Sequence, residues 1–193
     1  MKVRSRDGKG LIIDFVLVVA GVMLALAVDE WREESQRDTQ TRKVVDALAE
    51  EVQRNADELT RSLAYYRSMI PKLKQSIALM RDEGQWQWPE GFDAASEPEL
   101  TKAAYDSAVI TGSLPRFDIE TIRALSTLYN GLDTFKSDLQ QYGLAIMQTD
   151  FNDGLRYLQL MQARLDGVVR HENTLLKRAQ AAAAVLEAES TRW

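Results

Sequence analysis

Apolar residues follow two patterns along this chain. From Leu11 to Val28 they are nearly continuous, LIIDFVLVVAGVMLALAV, whereas from Val45 onward they recur every three or four positions. The continuous run is 18 residues long. As a helix rising 1.5 Å per residue it is about 27 Å long, close to the roughly 30 Å hydrocarbon layer of a bilayer. It predicts a single transmembrane helix, because a soluble core helix would carry a polar stripe over five turns. Asp29 to Lys43, almost wholly polar and free of glycine and proline, predicts a helical stalk.

The periodic pattern begins next. Val45, Leu48, Val52, Leu59, Leu63, Tyr66, Ile70, Leu73, Ile77 and Met80 form one helical stripe. Asn55 falls on that stripe and predicts either a register-setting polar contact or a locally wet position. Pro71 removes one helical hydrogen bond, but the stripe persists past it, so a kink is expected rather than a stop. Residues 82–96, DEGQWQWPEGFDAAS, read as a connection punctuated by Gly84, Pro89 and Gly91. Ser96 and Glu99 have capping-box spacing, with Pro98 in the first turn, and predict a short helix to Ile110 that buries Leu100, Ala104 and Ala108. Gly112 and Pro115 end it, Asp118 can cap the next helix, and Asn130-Gly131 predicts a break. Leu132 to Trp193 is helical again, with a stripe through Phe135, Leu139, Tyr142, Ile146, Leu155, Leu158, Leu165, Val168 and Leu175 and an interruption at Asn152-Asp153-Gly154. No strand pattern occurs. The expected fold is all-α: an N-terminal transmembrane helix continuing into an elongated antiparallel helical bundle. Its parts are a basic cytoplasmic end (1–10), the span (11–28), the stalk (29–43) and an extracytoplasmic bundle domain (44–193).

Charge orients this picture. Lys2, Arg4, Arg6 and Lys9 precede the span, while Asp29, Glu30, Glu33 and Glu34 follow it with Arg32 alone among them. Lys and Arg mark the cytoplasmic side, which places the N-terminus inside and the bulk outside. The rival reading is a cleaved signal peptide, since Ala25-Leu26-Ala27 has the small-x-small form of a cleavage site. Asp14 inside the early apolar stretch, and the helical pattern continuing through that site, favour the anchor. The chain has 24 basic and 29 acidic residues. Setting aside Lys2, Arg4, Arg6, Lys9, Asp7 and Asp14 leaves 20 and 27 beyond Val28, a net −7. An acidic body argues against nucleic acid as a partner.

Seven residues are candidates for interaction. Asp14 is an ionisable group within the apolar run, either a functional intramembrane carboxylate or an anion at the interface favoured by the helix N-terminus. Gly21 and Ala25, four apart, let two spans approach closely. Trp31 suits the outer interface. Trp86, Trp88 and Phe92 form either an exposed patch for a protein partner or a cap folded back on the bundle.

Candidate chemistry is thin by comparison. The chain has no cysteine and one histidine, His171, so thiolate metal sites and cysteine nucleophiles are excluded. Arg170 and Glu172 lie on other helix faces from His171, and adjacent acidic pairs such as Glu50-Glu51 point apart. No phosphate loop, nucleophile elbow or paired metal-ligand spacing occurs. The sequence predicts no enzyme activity, no cofactor and no metal.

The string LVVAGVMLALAVDEWREE, Leu17 to Glu34, resembles the opening of a widespread bacterial family of short, single-pass, membrane-anchored helical proteins without an assigned activity. In that family an acidic residue opens the apolar helix, a valine- and glycine-containing span ends in Ala-Leu, and a tryptophan with acidic neighbours follows. Asp14, Gly21, Ala25-Leu26 and Trp31 occupy those positions, whereas Val28-Asp29-Glu30 departs from the more amide-rich form. AAYDSAVITGSL, Ala103 to Leu114, with Leu125 and Leu128-Tyr129, resembles the family's middle section. The resemblance implies an uncleaved anchor in the inner membrane of a bacterial envelope and a helical outer domain. Two functional readings follow: an interaction or scaffold protein of the envelope, acting through a protein partner or as a homo-oligomer, or a ligand-sensing helical bundle. The second needs a partner to carry the signal inward, since about ten residues are too few for a cytoplasmic signalling domain.

Overall fold

The computed structural model describes residues 8–93, 97–148 and 153–192, with side chains from residue 15 onward except those of Ile146 and Met147. Among the described residues the chain is all-helical, without strands. Its elements are α1 (Gly8–Glu83), α2 (Ala103–Ile110), a 3₁₀ turn (Leu114–Arg116), α3 (Ile119–Met147) and α4 (Gly154–Ser190). Two compact units emerge: one takes in the chain up to Lys43, and the other is Val44–Arg192. α1 contributes to both and runs through Pro71.

In the second unit, α4 runs antiparallel to α3: Gly131 lies against Leu175 and Arg178, and Gly167 against Tyr142. It is antiparallel to α1 as well, because Gly154 faces Met80 while Glu172 bonds Ser62. α1 and α3 therefore run the same way, and the segment 84–118 returns the chain between them. The buried stripes are largely those the periodicity predicts. Val45, Leu48, Val52, Leu59, Leu63, Tyr66, Leu73 and Ile77 of α1 are buried, as are Leu125, Leu128, Leu132, Phe135 and Leu139 of α3 and Leu158, Leu165, Val168 and Leu175 of α4. Tyr142 departs from the expected stripe, at 39% exposed. Ile146 lies outside the described side chains.

Three local expectations are corrected. The predicted break at Asn130-Gly131 is absent, and α3 passes straight through. Gly131 is there for close approach: a Cβ would run into the Arg178 guanidinium and come within 2.9 Å of Leu175 Cδ2. The short helix begins at Ala103 rather than near Pro98; Ser96, its predicted cap, is outside the described residues. The reason lies across the bundle. Asn55, fully buried, donates from Nδ2 to the Thr101 carbonyl (2.8 Å) and accepts the Thr101 N–H at Oδ1 (3.0 Å). With that carbonyl engaged, the Tyr105 N–H turns to the Glu51 carboxylate instead. Asn55 is thus neither wet nor idle; it straps the returning segment to α1. Last, Asp118 precedes α3, but its side chain pairs with Arg192. The buried carboxylate of Glu189 accepts the Asp118 N–H and the Thr121 hydroxyl.

Candidate functional site

In the first unit the apolar residues from Phe15 to Val28 face outward. Phe15, Val16, Leu17, Val18 and Val19 are exposed by 41–68%. At about 100° per residue, five consecutive positions point all round the helix, so this is no half-buried stripe. Gly21 has nothing within 4 Å of where a Cβ would stand, and Ala25 is exposed too. The two lie on one face, as i and i+4 must. Trp31 is 73% exposed. The side chain of Asp14 lies outside the described residues. Among the described residues no helix is long and apolar enough to cross a membrane. Phe15–Val28 alone measures about 21 Å as a helix, short of the roughly 30 Å required.

In the second unit the three aromatic candidates come together. Trp86 and Trp88 stack with ring centroids 6.1 Å apart, and Phe92 meets Trp88 edge-on at 5.1 Å. The sequence reading missed a fourth member, Tyr157 of α4, which lies 6.2 Å from Trp86 and 6.1 Å from Trp88. Gly154 makes the docking possible, since a Cβ there would fall 2.7 Å from the Trp86 ring. Asp153 caps α4 beside it, accepting the Arg156 N–H at 3.0 Å. The cluster folds back on α4, yet Trp86 and Trp88 remain 49% and 37% exposed.

Three buried glutamates were also invisible in the sequence, where acidic residues read as solvated. Glu51 accepts the Tyr129 hydroxyl at 2.7 Å, the Ala104 N–H at 2.8 Å and the Tyr105 N–H at 3.3 Å. It caps α2 from another helix; α2's own preceding residue, Lys102, makes no side-chain cap bond. A carboxylate at a helix N-terminus meets both free N–H groups and the positive end of the dipole. Tyr129 stacks on Tyr105 at 4.2 Å; its phenol is pushed up by burial first and by the bond to Glu51 second. Glu189 plays the corresponding part for α3. Glu172 differs. It is fully buried, accepts one bond from the Ser62 hydroxyl (2.7 Å), and its Oε2 has no partner. Burial raises its carboxyl to about 7, against which the Ser62 bond acts in the lowering direction.

His171 makes no group with Arg170 and Glu172. Its Nδ1 lies 3.1 Å from Asp138 Oδ2, and its ring meets Phe135 edge-on. Among the described residues no group of three or more His, Asp or Glu side chains is placed to hold a metal ion. No protein-family model, curated protein or solved structure matches this chain.

Proposed function

We propose that this protein is a single-pass, membrane-anchored interaction protein of the bacterial envelope, without catalytic activity, whose helical bundle engages a protein partner outside the cytoplasmic membrane. One observation carries the reading: the outward-facing apolar surface from Phe15 to Val28, exposed on every side of its helix. Water does not favour such a surface, at about 25 cal/mol per Å² of apolar area, and lipid does. In the sequence the apolar run starts at Leu11, which gives it near-bilayer length, and the basic residues before it set the N-terminus inside. The family that Leu17 to Glu34 resembles has the same arrangement. The half-exposed ledge of Trp86, Trp88, Phe92 and Tyr157 suits a protein contact, because indole and phenol combine large apolar area with a polar edge.

The test is cellular. Full-length protein is expressed, membranes are washed with alkali, and the N-terminus of the retained chain is sequenced. Photo-crosslinking residues at positions 21, 86 and 88 then capture neighbours in living cells. Retention with an intact N-terminus, and a discrete crosslinked protein from 86 or 88, is the expected result. A chain released by the wash, or a mature form beginning near Val28, would overturn the anchor.

A further inference from the structure

We propose that Glu172 is a proton-operated latch in the seam between α1 and α4: neutral, it lets the two helices close; ionised, it loosens them. The inference concerns the bundle alone and holds whether or not the chain is anchored.

The contrast among the three buried glutamates carries it. Glu51 and Glu189 sit where helices begin, and backbone N–H groups and hydroxyls surround their charge. Glu172 sits in mid-helix, where every backbone N–H of its own turn is already used. Its single donor is Ser62, and Oε2 receives nothing. An ionised carboxylate left this way is far costlier than a neutral one. The same burial acts on Tyr66 of α1, whose phenol is pushed up to about 12, by burial first and by the Glu172 charge second. The seam is thus a place where negative charge is penalised on both sides.

Glu172, Arg164 and Glu97 all act electrostatically on Tyr66 in this seam, and the chain neighbours of Glu172 on α4, Asn173 and His171, are engaged by Arg67 of α1 and Asp138 of α3. Arg164 pairs with Glu97. Of these residue types, histidine is the one that ordinarily titrates near neutrality, so His171 must be controlled for. The direction is unambiguous. The folded state holds the Glu172 proton more tightly than the unfolded chain, whose carboxyl titrates at its ordinary 4.5. Folding therefore gains most from this group below 4.5, and the gain is lost as pH rises through about 7.

The experiment uses the full chain in one mild detergent, wild type against Glu172→Gln and His171→Asn. Equilibrium unfolding is followed from about pH 5 to about pH 8. The expected wild-type result is a fall in the folded-to-unfolded ratio on the order of a hundredfold across that range. Glu172→Gln should remove most of the fall and leave the variant more stable than wild type at the alkaline end; His171→Asn should retain it. If Glu172→Gln does not fold, a carboxyl carbon NMR titration of the wild type decides alone. A Glu172 midpoint near neutrality supports the latch. A midpoint in the ordinary carboxyl range, or a pH profile that Glu172→Gln leaves unchanged, overturns it.

Discussion

Asn55 shows how much one side chain can organise. Its amide satisfies both backbone groups of Thr101 and so decides where α2 begins. Asn55→Ala leaves those two groups without partners, and urea unfolding should show a loss of about 1–3 kcal/mol. The sequence flagged Asn55 because a polar residue interrupted an apolar stripe. It could not flag Glu51, Glu172 or Glu189. Each is an acidic residue among many, and what distinguishes it is a partner 53 to 110 positions away. Tyr157 was hidden for the same reason, because it joins the tryptophans only after α4 has docked.

At the scale of elements, period 3.6 revealed the helices and their buried faces, while local composition misled about their ends. Asn-Gly is a turn signal in isolation, but at Asn130-Gly131 the absent side chain serves helix packing. Gly131→Leu would drive a branched side chain into Leu175 and Arg178. A destabilisation of about 1–3 kcal/mol is expected from overpacking, read as a lowered denaturation midpoint. The signal at 152–154 did mark a boundary, with Asp153 capping α4 and Gly154 receiving Trp86. The two sites differ in what their glycines face: one meets another helix in mid-span, the other a ring at a terminus.

Across the whole molecule, the described buried apolar residues run from Val45 to Leu186, all within the second unit. That unit should stand or fall on its stripe. Leu59 and Leu165 are 0% and 2% exposed, and Leu59→Asp or Leu165→Asp places a carboxylate with no partner in apolar surroundings. Either variant should lose cooperative melting by circular dichroism, and unchanged melting would show the core assignment to be wrong. The candidate site was legible in part. Large aromatics in a glycine- and proline-marked connection stood out by composition, but how far they bury was settled by packing against α4.

The α1–α4 seam also has a consequence for biosynthesis. Ser62 and Glu172 are 110 residues apart, so the first helix of the bundle leaves the ribosome long before the helix that completes it. Until α4 has been made, the stripe through Leu59, Leu63 and Leu73 lacks part of its cover, and a nascent chain stalled before Glu172 would offer it to chaperones. The native cover of that seam therefore waits for the last helix to be made.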